Sequence, residues 1–128
     1  LKVVNIKPSK MQVLLRQGKN LSFAGPCEFL ECYKNASYVV TNSFHGTAFA
    51  LNFSIPFFTS TLPVSMAGEV NSRLTDICDL FSVSHRFIDS ERKLASTDAT
   101  KLFEKDTQRI INNLREHSFD YLREALSL

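Results

Sequence analysis

The chain has 128 residues, of which 44% are hydrophobic and 22% are charged, and its formal net charge is +2. It is long and apolar enough to bury a core, but too short for a second domain, so we expect a single domain over residues 1–128. The basic residues are scattered and form no cationic stripe of the kind that tracks a nucleic acid backbone, so we expect no nucleic acid partner. Its apolar stretches are well short of the roughly twenty residues that cross a bilayer, so we expect no transmembrane segment.

The cysteines indicate a reducing compartment. Cys27, Cys32 and Cys78 are odd in number, and the C-x4-C spacing of the first two fits neither a disulfide framework nor a zinc knuckle. We therefore expect reduced thiols and no bound metal. We also expect a cytoplasmic location, which can include the inner face of the membrane. The chain opens without a starting methionine at Leu1, which predicts that it was cut from a longer protein.

The first part of the chain contains two short strand candidates and one helix. Val3 to Ile6 and Gln12 to Leu15 are the strand candidates. Apolar residues then recur at helical spacing from Glu28 to Lys34, directly after Pro26, and Asn35 can end that helix.

The middle of the chain predicts a parallel sheet. Ser37 to Thr41 is a β-branched run typical of a buried strand, Thr47 to Phe53 has a helical pattern, and Pro56 to Thr59 is a second strand. This helix, strand, helix, strand order favours a Rossmann-like α/β fold. Residues 60–68 form a loop after the second strand, where open α/β sheets usually bind ligands.

Two further amphipathic helices follow. The first extends over residues 70–81, and its apolar positions are Val70, Leu74, Ile77, Cys78 and Phe81. The second begins near Thr100 and closes the domain, with an apolar stripe at Phe103, Ile110, Leu114, Tyr121 and Ala125.

The segment Thr41 to Thr47 has the pattern of an anion site. A hydrophobic strand runs into a small polar turn, and a helix is predicted just after it. Amides at a helix start carry partial positive charge, and Ser43, Gly46 and Thr47 are small enough to let an anion approach them. His45 could bind that anion as a cation or shuttle protons. A histidine that merely caps the turn is an equally open reading.

The same segment resembles the signature of a known family. Residues 36–49 read ASYVVTNSFHGTAF and are followed by Ile55-Pro56-Phe57, a string that resembles the polysaccharide pyruvyl transferase family. Further similarities occur in family order, and together they extend from about residue 25 to about residue 126. They are Gly25 to Leu30, Asn71 to Leu74, Arg86, and Ser118 to Leu122.

The resemblance implies a fold and an activity. It implies a three-layer α/β/α domain that forms the C-terminal half of a two-domain GT-B type enzyme. The donor would be phosphoenolpyruvate, with no further cofactor, and the acceptor a sugar of a polysaccharide or lipid-linked glycan, which receives pyruvate as a cyclic ketal. His45 corresponds to the family's motif histidine at the donor's phosphate. The N-terminal domain that completes the cleft is absent from this chain, so the chain alone is expected to be inactive.

Phosphoenolpyruvate carries a phosphate and a carboxylate, so its site needs cationic donors. His45, Arg73 and Arg86 are the candidates. Some relatives carry an arginine where this chain has Ser43, which leaves the source of that positive charge open. Both arginines also have a structural reading, because Arg73 can pair with a nearby aspartate on its own helix and Arg86 can satisfy the last carbonyls of the same helix.

Two other functions remain open from the sequence. The first is a GT-B glycosyltransferase that uses a nucleotide-sugar donor, because the same helix start can hold a diphosphate. The second is a non-catalytic domain for assembly with other glycan-synthesis proteins.

Phe44 lies inside the motif and is a candidate lining residue of a donor pocket.

Overall fold

The computed structural model describes residues 2–6, 18–21, 23–61, 70–88 and 105–126. The chain divides into two compact units, Leu1–Ala36 and Ser37–Leu128. The prediction of a single domain over residues 1–128 stays a prediction. The predicted strand from Gln12 to Leu15, most of the predicted loop 60–68, and Phe103 lie outside the described residues.

In the first unit, two short strands pair in parallel. Strand β1 is Val4–Ile6 and strand β2 is Lys19–Leu21, so the first predicted strand is confirmed. Gly18 precedes β2 with a φ of 79°, and a Cβ there would lie 2.6 Å from the carbonyl oxygen of Val3. Glycine is therefore required where the two strands meet.

The first unit ends in helix α1, Pro26–Lys34, which confirms the predicted helix. Pro26 occupies its first turn, where a missing N–H costs nothing. Asn35 ends the helix as predicted, and its side-chain amide donates to the Glu31 carbonyl at 2.9 Å. A side chain thus satisfies a carbonyl that the helix leaves without a partner.

The second unit alternates strands and helices, and the sequence predicts this order except for the last strand, β5. Its described elements are β3 (Val39–Thr41), α2 (Phe44–Asn52), β4 (Phe57–Ser60), α3 (Val70–Leu80), β5 (Phe87–Ile88) and α4 (Lys105–Ala125). The strands form a parallel sheet in the order β3-β4-β5. An α/β fold with parallel strands and helices is therefore confirmed, whereas the third layer and the GT-B arrangement stay predictions.

Helices α2 and α3 pack against each other, and both follow strands that step in one direction across the sheet. Right-handed crossovers therefore place them on the same face. The main buried apolar residues of this unit are Ala50, Leu51, Ile55, Phe57, Phe58, Leu74, Ile77, Cys78, Val83 and Ile111. The prediction of a buried β3 is wrong in part, because Val40 is 75% exposed. It lies on the edge strand of the described sheet, where α2 and α3 cover one face only.

Both helices return to the sheet through the same turn. Ser54 after α2 and Ser82 after α3 have φ values of 54° and 56°, in the left-handed region. The next residues, Ile55 and Val83, are buried and donate their amides back to Ala50 and Cys78 at 2.8 Å. These hydrogen bonds satisfy carbonyl groups at the end of each helix, and the chain that follows enters the core.

Helix α4 has a different buried face from the one predicted. Thr107 and Ile111 are buried, and the Thr107 hydroxyl donates to the Phe81 carbonyl at 3.1 Å. Ile110 is only half-buried, and Leu114 and Tyr121 are exposed. The predicted stripe is therefore wrong in register, because a polar threonine takes a core position through its hydrogen bond. Among the described residues, none of the helices is both long and apolar enough to span a membrane.

Leu74 and Leu80 allow a matched test of the core. Leu74 is fully buried on α3, and we expect Leu74→Ala to lower the free energy of unfolding by about 2–5 kcal/mol, since it removes contacts and leaves a cavity. Leu80 lies on the same helix but is 58% exposed, so Leu80→Ala should cost much less. Urea unfolding followed by circular dichroism measures both, and equal losses would contradict the described packing.

Candidate functional site

The motif forms the junction between β3 and α2. Thr41 ends the strand, and its hydroxyl oxygen accepts the Ser43 amide at 3.1 Å. Ser43 is the N-cap of α2, and its Oγ accepts the Gly46 amide at 3.4 Å. The helix therefore begins at Phe44, three residues before the predicted start at Thr47. The prediction is wrong there because a serine cap makes helix initiation favourable inside the motif.

This helix start has backbone amide groups of the kind that bind anions. An α-helix leaves its first amides without intrahelical acceptors. Ser43 satisfies one of them, that of Gly46, and the Thr47 amide reaches the Ser43 carbonyl at 2.9 Å. The amides of Phe44 and His45 remain at the helix start with its partial positive charge.

Gly46 and Thr47 are buried in the first turn of α2. The Thr47 hydroxyl lies 3.1 Å from the Ser43 carbonyl oxygen and 3.0 Å from the Thr59 hydroxyl on β4. A carbonyl only accepts, so Thr47 donates its single proton to Ser43 and accepts from Thr59. The Thr47 side chain therefore holds the helix start against the sheet. Its predicted contact with the donor stays a prediction, as does that of Gly46.

His45 is exposed on the first turn of α2. Its ring meets the Phe44 ring edge-on, with centroids 5.8 Å apart and planes at 85°. The imidazole is thus accessible to a ligand beside the helix start, and its role at the donor's phosphate stays a prediction.

Arg73 lies next to the start of α2 because its side chain contacts Phe44. Its guanidinium carbon lies 4.4 Å from the centroid of the Phe44 ring, in a cation-π contact. The ion pairs of the described residues are Arg109 with Asp106 and Arg123 with Asp120, so Arg73 takes no part in them. Its helix neighbour Asp79 accepts the Ser84 hydroxyl instead. The salt-bridge reading of Arg73 therefore finds no support in the described part of the chain.

A shallow cavity of about 300 Å³ adjoins this stack. It is lined by Phe44, Arg73, Asp76, Ile77, Leu80 and Phe81. Phe44 thus contributes to the cavity, the arginine stack and the contact with His45. No group of three or more metal-ligating side chains occurs in the described ranges.

Arg86 occupies a different environment. It is only 1% exposed, and its terminal nitrogen donates to the carbonyl oxygen of Phe57 at 3.2 Å. Phe57 begins β4 and pairs with the start of β3, whereas the motif follows the end of β3. The structure brings Ser43, His45 and Arg73 together around Phe44, and it places Arg86 in the core. Contact between Arg86 and the donor stays a prediction.

Tyr38 is a half-buried polar residue that the sequence did not single out, and its hydroxyl oxygen is buried. Its ring packs edge-on against Phe58, with centroids 5.5 Å apart. Burial raises the pKa of the Tyr38 phenol, and the nearby guanidinium of Arg86 opposes this rise. No local spacing links Tyr38 with Arg86, because they lie far apart in the chain and come together only in the folded unit.

The described residues define an α/β protein in which a parallel strand runs into a capped helix that carries an exposed imidazole. Residues 6–60 match the model of the polysaccharide pyruvyl transferase family. This match is consistent with the family predicted from the motif. The matched segment contains residues 41–47, whereas Arg73 and Arg86 lie beyond it. No curated protein and no solved structure shows a significant match to the chain.

The raised pKa of Tyr38 predicts a dependence of stability on pH. An ordinary tyrosine has a pKa of about 10, and folding favours the neutral form of Tyr38. Its contribution is complete below pH about 10 and is lost as the pH rises toward the higher folded-state pKa. Tyr38→Phe should therefore show a shallower fall in unfolding free energy at high pH than the wild type. Tyr121→Phe, on the exposed part of α4, should behave as the wild type, and parallel curves for Tyr38→Phe would contradict the assignment.

Proposed function

We propose that the protein transfers pyruvate from phosphoenolpyruvate to a sugar of a polysaccharide or glycan precursor, with a cyclic ketal as product. The observation that carries this proposal is the convergence of the His45 imidazole and the Arg73 guanidinium on Phe44, at the start of α2. The family match supports it, because the family is one of polysaccharide pyruvyl transferases and the matched segment includes His45.

The charges at the junction suit this donor. Phosphoenolpyruvate carries a phosphate and a carboxylate, and the junction offers helix amides, an imidazole and a guanidinium. The Ser43 oxygen accepts the Gly46 amide, so its proton can be donated to the donor's phosphate. Arg73 can supply the positive charge that some relatives carry at the position of Ser43. In this proposal the cation comes from α3 instead of from the motif.

The chemistry needs no redox cofactor. One sugar hydroxyl forms a bond from its oxygen to the enol carbon, and the methylene carbon gains a proton and becomes a methyl group. The bond to the phosphate oxygen breaks, and a neighbouring hydroxyl forms the second bond to the same carbon. Of the two hydroxyl protons, one balances the new methyl group and the other leaves with phosphate. His45, as an imidazolium, can protonate the leaving phosphate or stabilise its charge.

The other residues predicted to bind the donor are buried, and in this proposal they support the structure of the site. Gly46 keeps the first turn of α2 small, and Thr47 fixes it to Thr59. Arg86 holds the start of β4 through the Phe57 carbonyl, whatever its relation to the donor. We further propose that an N-terminal domain of the same protein closes the cleft over this junction.

Replacement of His45 tests the proposed chemistry. In the full-length protein we expect His45→Ala to lower kcat by roughly a hundredfold or more, because a general acid or anion clamp is lost. His117→Ala is the matched control, since that histidine lies on the exposed part of α4. Phosphate release in the presence of phosphoenolpyruvate and a glycan acceptor measures the rate. An unchanged kcat for His45→Ala would reject the role of the imidazole.

Replacement of Arg73 tests the proposed donor. We expect Arg73→Ala to weaken binding of phosphoenolpyruvate about tenfold or more, because a charge-assisted hydrogen bond to an anion is lost. Arg109→Ala removes the same charge from an exposed ion pair on α4 and should leave binding unchanged. Calorimetry on the full-length protein measures both affinities. Tight binding of nucleotide sugars without any binding of phosphoenolpyruvate would indicate a glycosyltransferase instead.

A further inference from the structure

The cavity next to Arg73 has a mostly apolar lining that also includes two charged residues. Ile77, Leu80 and Phe81 contribute apolar side chains, and Arg73 and Asp76 are the charged members of the lining. A pyranose ring also combines polar and apolar groups, with hydroxyls around its edge and C–H groups on its faces. The volume of about 300 Å³ is at the lower limit of small-molecule sites, which run from roughly 300 to 1,000 Å³.

Asp76 is the acidic group of this lining. It is exposed on α3, and it takes part in neither of the ion pairs seen among the described residues. Arg73, which precedes it by almost one helical turn, stacks on Phe44 instead. The carboxylate is thus open to a ligand, and an ionised carboxylate is a strong acceptor for hydroxyl groups.

The charges of Arg73 and Asp76 would favour different substrates, the anionic donor and the neutral sugar acceptor. Arg73 attracts the anionic donor, whereas the carboxylate of Asp76 repels it. A neutral sugar experiences no such repulsion, and its hydroxyls gain hydrogen bonds at Asp76. Asp76 therefore favours the acceptor over the donor in this cavity.

We propose that this cavity is the acceptor subsite, where a pyranose unit binds and Asp76 accepts a hydrogen bond from one of its hydroxyls. Phe44 connects this subsite with His45, so the bound sugar lies next to the donor junction. The proposal rests on the proposed function, since it assigns the place of the sugar in that reaction.

The test compares two aspartates on α3. In the full-length protein, Asp76→Asn should weaken the binding of methyl glycosides roughly tenfold, because a hydrogen bond to a charged group is lost. Asp79→Asn is the matched control, because it removes the same charge outside the cavity and an amide oxygen can still accept the Ser84 hydroxyl. Saturation-transfer NMR with methyl glycosides of glucose, galactose, mannose and N-acetylglucosamine measures this binding without the donor.

A second variant and a second ligand complete the test. Leu80→Ala removes an apolar side chain from the lining at an exposed position, and it should also weaken glycoside binding while the protein stays folded. Calorimetry with phosphoenolpyruvate should show no weaker donor binding for Asp76→Asn. Equal glycoside binding by Asp76→Asn and the wild type, or no binding of any of these glycosides to the wild type, would overturn the subsite. Failure of the proposed function is seen separately, as absent binding of phosphoenolpyruvate by the wild type.

Discussion

The hydroxyl of Thr47 is the contact on which the candidate site depends. It is fully buried, and it joins the Ser43 carbonyl to the Thr59 hydroxyl on the neighbouring strand. The first turn of α2 is thereby fixed at the end of the sheet, instead of being free to fray as helix ends commonly do. Since the inner side of this turn is fixed by Thr47, the outer side can present the Phe44 and His45 amides and the imidazole in a constant position.

Phe44 connects the start of α2 to a second helix, α3. Its ring contacts His45 on its own helix and Arg73 on α3. A cation-π contact holds a guanidinium without neutralising it, so the arginine keeps its charge for a ligand. An aspartate partner would have consumed that charge. The stack therefore explains how a motif without an arginine of its own can still have a cation beside it.

The buried Arg86 and the half-buried Tyr38 differ in role from the exposed groups. Arg86 donates to the Phe57 carbonyl, and its charge opposes the rise in the pKa of Tyr38. A buried arginine needs such partners because an uncompensated charge in the core is costly. The polar residues of this unit thus divide into a core group that connects the strands and a surface group that can meet ligands.

The sequence by itself determined the parallel α/β order, helices α1 and α3, the end of α1 at Asn35, and the motif that lies inside the segment matched by the family model. These features follow from periodicity, capping residues and a contiguous string, which act over a few neighbouring residues. Only the tertiary structure decided that Arg73 stacks on Phe44, that Arg86 is buried, and that Thr107 replaces Ile110 on the core face of α4. Each of these depends on contacts between residues far apart in the chain, and local patterns carry no information on such contacts.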